Sequence, residues 1–189
     1  MLGSTIISTE AGFSPDRARG FSLLELLLVV AVGAVLILAG LGAYRLVTEN
    51  NNTNQATRLL TTLKQQVQQA YQGQASYGAT NLLDDLTALR ALPTDLGTSG
   101  TGDSMTAKGM FGTIAVTGAT SNFRIAFNNV PKGACVRLGQ QFTSQNANDF
   151  VSLQVGSTTY TQSSTITQAS LTTACSDQSA SNTMTWTFQ

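Results

Sequence analysis

The chain has 189 residues, of which 42% are hydrophobic and only 11% charged, with a formal net charge of zero. Ordinary chains carry about 25% charged residues, so bulk electrostatics gives nucleic acid no attraction here. Histidine is absent, which removes the commonest general base and metal ligand. Thr, Ser, Gln, Asn and Gly take the place of the missing charges, a polar surface suited to close packing beside copies of itself.

Residues 1–20 are mostly polar and end in Asp16-Arg17-Ala18-Arg19-Gly20. Residues 26–43 form an uncharged apolar run of 18, and the segment counted from Phe21 has 23 residues. That is roughly 34 Å of helix at about 1.5 Å per residue, a full crossing of the hydrocarbon layer. A secretory signal places a small-residue cleavage site after a shorter apolar core. Here the run continues into an amphipathic pattern, so residues 21–43 are expected to remain as a transmembrane helix. Arg17 and Arg19 hold the preceding side in the cytoplasm, which leaves the chain from Tyr44 on outside. Glu25 interrupts the apolar segment. A mid-membrane carboxylate costs about 2.5–3.5 kcal/mol, less near an interface, and residues this costly usually have a partner and a function. A cut after Gly20 gives Phe21 a positive α-amino group four positions from Glu25, close within one helix.

The run Gly20-Phe21-Ser22-Leu23-Leu24-Glu25-Leu26 resembles the prepilin peptidase site of type IV pilins: Gly, then Phe, then Glu at the fifth mature position, then a long apolar helix. The resemblance implies that a membrane peptidase cuts between Gly20 and Phe21 and methylates Phe21. It also implies that Glu25 pairs with the N-terminus of a neighbouring subunit during assembly. The 20-residue leader is similar to that of type IVb pilins. Val130-Pro131-Lys132-Gly133-Ala134-Cys135 and Met184-Thr185-Trp186-Thr187-Phe188 resemble the PilS-like pilins of thin, conjugation-associated pili. Phe21 departs from that branch, being more typical of type IVa. The proline that many type IVa pilins carry near mature position 22 is replaced by Gly40 and Gly42.

The resemblance therefore implies a structural subunit and not an enzyme, with no cofactor, no metal and no nucleic-acid partner. Its expected place is the bacterial inner membrane as a precursor, then an extracellular pilus filament. Its expected partners are its own copies in a helical homopolymer, the inner membrane, the prepilin peptidase and pilus assembly machinery, and a host or recipient cell surface. Adhesion and conjugation are the expected roles of such a pilus. A minor pilin or pseudopilin of a type II secretion or DNA-uptake system shares the same N-terminus and is the alternative reading. A membrane-anchored enzyme would need a nucleophile or acid–base motif, and none is apparent.

Residues 44–73 are expected to continue the helix. Ala56, Leu59, Leu60, Leu63, Val67, Ala70 and Tyr71 form one apolar stripe, ending before Gly73. The Asn-rich stretch 49–54 is its weakest part. Residues 74–189 make an α+β head. Residues 81–92 read as a short amphipathic helix with Asn81 as cap, stopped by Pro93. Asp84 and Asp85 fit its first turn; as a catalytic pair they lack adjacent partners. Residues 97–109 read as a loop, and GTSGTG at 97–102 lacks the Lys-Ser/Thr end of a phosphate loop. Strands are expected at 113–116 and 122–127, a helix from Pro131 through Phe142, strands at 150–155 and 158–161, a helix within 166–175 and a last strand at 183–188. Phe150, Ser152 and Gln154 are expected on one face of their strand and Val151, Leu153 and Val155 on the other.

Cys135 and Cys175 are the only cysteines, 40 positions apart, with no CxxC pattern for zinc. An even pair in an exported chain reads as one disulfide, worth roughly 4 kcal/mol by loop closure. Two free buried thiols are the alternative.

Overall fold

The computed structural model describes residues 22–78, 80–93, 96–142, 148–175 and 182–189. The chain divides into two compact units, Met1–Ala43 and Tyr44–Gln189. Helix α1 spans Leu23–Ala70, 48 residues. Within the first unit, residues 23–43 are helical and none is buried. Within the second, Thr53, Ala56, Leu60, Leu63 and Val67 recur at three- and four-residue steps and turn one stripe into the core. The Asn-rich stretch is helical. Thr53 is buried there and its hydroxyl donates to the Glu49 carbonyl at 2.7 Å. Packing holds a segment of poor helix formers.

The head carries one antiparallel sheet of seven strands in the order β1-β2-β3-β4-β7-β5-β6. The strands are β1 Thr98–Ser99, β2 Thr106–Lys108, β3 Thr113–Gly118, β4 Phe123–Val130, β5 Phe150–Val155, β6 Thr158–Thr161 and β7 Asn182–Phe188. Among the described residues three short α-helices accompany it, α2 Leu82–Ala88, α3 Lys132–Gln141 and α4 Gln168–Ala174, with one 3-10 turn at Gly102–Ser104. The last strand, β7, enters the middle of the sheet between β4 and β5. Its Met184, Trp186 and Phe188 lie in the same core as Leu60 and Leu63 of α1 and Ile125 of β4. This is the expected α+β arrangement.

Four local expectations need correction. Residues 97–109 are not all loop, because Thr98 pairs with Ala107 and Ala107 with Ile114. Strands of two and three residues are too short to show a period of two. Helix α2 ends at Ala88, before Pro93, in a Schellman turn. The Ala91 amide donates to the Leu86 carbonyl at 2.8 Å and the Arg90 amide to the Thr87 carbonyl at 3.0 Å. Arg90 takes the left-handed position at φ 53°, where glycine is usual. Strand β4 runs on to Val130 through a bulge at which Asn129 adopts φ 59°. Asparagine tolerates that conformation, and the extra residue returns Val130 to the core. In β5, the register against β7 shifts between Phe150 and Ser152. Phe150 therefore shares the buried side with Leu153 and Val155, against strict alternation.

Candidate functional site

Within the first unit the described residues form an apolar helix whose side chains are largely exposed. Leu26 is 61% exposed, Val29 63% and Leu36 66%. Each buried leucine side chain gains about 1.5–3 kcal/mol over an exposed one in water, so a row this long requires lipid or another chain. The helix is long and apolar enough to cross a membrane.

Glu25 sits in the first turn of this helix, exposed, its amide donating to the Ser22 carbonyl at 2.9 Å. The unpaired amides of a helix start favour an anion there. Among the described residues Glu25 has no ion-pair partner. Gly20 and Phe21 lie outside the described residues, so the expected Phe21–Glu25 relation has no geometry to report.

Cys135 and Cys175 are joined, with Cα atoms 6.0 Å apart and both side chains fully buried. The bond sits in a helix pair with one repeated spacing. Cys135 and Gly139 lie one turn apart on α3; Leu171 and Cys175 lie one turn apart at α4. A Cβ added at Gly139 would lie 2.8 Å from Leu171 Cδ2. So Cys135 meets Cys175 and, a turn along, Gly139 meets Leu171. The absent side chain at Gly139 lets the helices approach closely enough for the sulfurs to bond. Nothing in the spacing of the cysteines alone pointed to Gly139.

The head is tied to its own part of α1 by polar contacts that sequence reading did not single out. Lys64 Nζ lies 2.7 Å from Asp149 Oδ2, and Gln68 Nε2 donates to the same carboxylate at 2.7 Å and to the Gln189 carbonyl at 3.0 Å. Lys64 also lies over the Phe188 ring at 5.3 Å. Burial raises the Asp149 carboxyl, but the hydrogen bonds from Lys64 and Gln68 and the Lys64 charge outweigh it and hold the group below the usual carboxylate range. Lys64 and Gln68 are four apart on α1, a signal visible only once Asp149 is known to face them. Nearer the start of this unit, the Glu49 carboxylate packs against Gly133 at the start of α3, leaving no room for a Cβ.

Asp84 and Asp85 are engaged separately. Asp84 Oδ1 accepts from the Gly102 amide at 3.3 Å, and Asp85 Oδ2 from the Tyr71 hydroxyl at 2.5 Å. Among the described residues no cluster of three His, Cys, Asp or Glu side chains could hold a metal. The arrangement offers attachment and packing.

Comparison with known proteins adds three findings. A family model described as PilS N terminal matches residues 50–189, and one described as the prokaryotic N-terminal methylation motif matches residues 15–41. The crystal structure of type IV b pilin from Salmonella typhi aligns with a TM-score of 0.57 at 20% identity, covering 70% of this chain and 97% of that one. At that identity the likeness speaks for the fold alone. No curated protein sequence matches the chain.

Proposed function

This chain belongs to the PilS family of type IV prepilins, and from that premise we propose that it is the major structural subunit of a type IVb pilus, polymerised through its N-terminal helix. Residues 1–20 are the leader, 21–43 the membrane and filament-core helix, 44–73 its amphipathic continuation and 74–189 the head. The prepilin peptidase cuts between Gly20 and Phe21 and methylates Phe21. The precursor waits in the inner membrane, and the filament lies outside the cell.

The observation that carries this reading is the uncovered apolar helix with one carboxylate in its first turn, inside the stretch that matches the methylation motif. Lipid covers that helix before assembly. In a filament, neighbouring helices must replace the lipid, and van der Waals packing drives the exchange because lipid tails are equally apolar. Gly33 and Gly40 lie seven positions apart on one face, and a Cβ at either would meet nothing within 4 Å among the described residues. A neighbour's helix gains close approach from their smallness. Glu25 loses water and headgroups on entering the filament, and the α-amine of Phe21 on an adjacent subunit compensates.

Mass spectrometry of sheared surface fibres tests the reading. The expected dominant species begins at methylated Phe21. Gly20→Val should leave full-length precursor in the membrane and no fibres; normal fibres from that variant would contradict the cleavage site. A processed chain present only in traces in those fibres would favour the minor pilin or pseudopilin role.

A further inference from the structure

We infer that the head carries a second kind of site: a groove beside Tyr71 and Tyr77 that binds a neutral pyranose sugar. The groove holds about 510 Å³ between the end of α1, the start of the following loop and α2, within the usual range of small-ligand sites. It lies wholly in the second unit and belongs to neither the disulfide nor the apolar helix.

Its chemistry selects the ligand. The Tyr71 and Tyr77 rings meet at 5.5 Å with planes 45° apart. Tyr77 is backed in turn by Phe123, ring centroids 5.0 Å apart. Two rings in contact make a platform. They do not make a cage, because no cation fits between rings that already touch. Anions are disfavoured, since the one charged side chain of the lining is the carboxylate of Asp85. Gln74, Ser76 and Thr80 supply neutral hydrogen-bonding groups around the platform. Two mutually tilted aromatic faces with hydroxyls, an amide and a carboxylate around them match a pyranose, whose C–H face is apolar and whose edge is hydroxyl. Leu89, 62% exposed at the lip, extends the apolar side.

The site is preorganised. The Tyr71 hydroxyl donates to Asp85, and burial followed by that bond and charge pushes its pKa up to about 12. It stays a neutral donor at any physiological pH, held against Asp85 Oδ2 in the lining of the groove. A lone shallow groove binds weakly. Repetition along a filament, which rests on the function proposed above, multiplies weak binding through effective concentration.

The test uses the full chain with its disulfide intact in polyoxyethylene-ether micelles, which contain no sugar and need no filament. Failure here is thereby separate from failure to form fibres. Methyl glycosides of galactose, glucose, mannose and N-acetylglucosamine are titrated by saturation-transfer NMR. At least one should receive saturation at its ring C–H protons with a dissociation constant on the order of 1 mM. Gln74→Ala and Asp85→Asn, each checked for an unchanged unfolding midpoint, should weaken it about tenfold. The inference is overturned if no glycoside receives saturation, if neither variant changes the affinity, or if tetramethylammonium displaces the sugar at equal concentration.

Discussion

Two stretches of α1 are built from the same residues and live differently. Leu26, Leu27 and Leu28 are each about 60% exposed, while Leu60 and Leu63 are fully buried. The lower stretch keeps apolar residues on every side of the helix; the upper keeps them on one stripe, with Gln and Thr around the rest. A helix apolar all round needs an apolar surrounding, and a striped one needs a single packed face. The second unit satisfies its stripe from within. The first unit leaves its apolar side chains exposed, and under the proposed function lipid and then other subunits cover them. Function resides in what the chain leaves uncovered.

That contrast can be broken first in the head. Leu60→Ala should destabilise the head by about 2–5 kcal/mol, a loss of transfer energy plus a cavity. Leu36→Ala, read by the same thermal unfolding in micelles, should leave the head within about 0.5 kcal/mol of the parent. Equal losses from both would mean that residues 23–43 stabilise the head, which the contrast forbids. A comparable loss, about 2–5 kcal/mol, is expected for Cys135→Ala with Cys175→Ala. Since Gly139 and Leu171 still pack in that double variant, α4 should loosen before the sheet does. Hydrogen exchange that rose uniformly across β4 and β7 would contradict this order.

The smallest effect sharpens the comparison from the polar side. Asp149 has a lowered folded pKa, so its contribution is complete above its unfolded value of about 4 and fades as pH falls through the folded one. Lys64→Met should cost roughly 1 kcal/mol at neutral pH, as expected of a partly exposed pair. The difference between parent and variant should shrink on acidification below about pH 4. A difference that grew on acidification would contradict the ion-pair account.

Much of this was legible in the sequence. The stripe on α1 and the apolar run showed themselves because each repeats over many residues. Glu25 stood out because a carboxylate in an apolar segment has few bland explanations. What stayed hidden depended on partners far along the chain. Strand β2 owes its existence to pairing with β3, and β1 to pairing with β2, not to their own composition. The bulges at Asn129 and beside Val151 each insert one residue that alternation does not announce. Arg90 ends α2 in a position where sequence reading looks for glycine. Gly139 acquires its meaning from Leu171, and Asp149 from Lys64 and Gln68.

We propose that residues 23–43 are completed by other subunits, with Glu25 matched to a neighbour's N-terminus. The most direct measurement is the count of surface fibres from cells making Glu25→Ala and Glu25→Gln, with processing and the disulfide followed in the same cells. Both variants should be cleaved, remain in the membrane and keep the Cys135–Cys175 bond, yet yield few fibres, with Glu25→Gln separating charge from hydrogen bonding. Fibres in normal number from both would show that Glu25 is a tolerated charge near the interface and that no pairing across subunits is required.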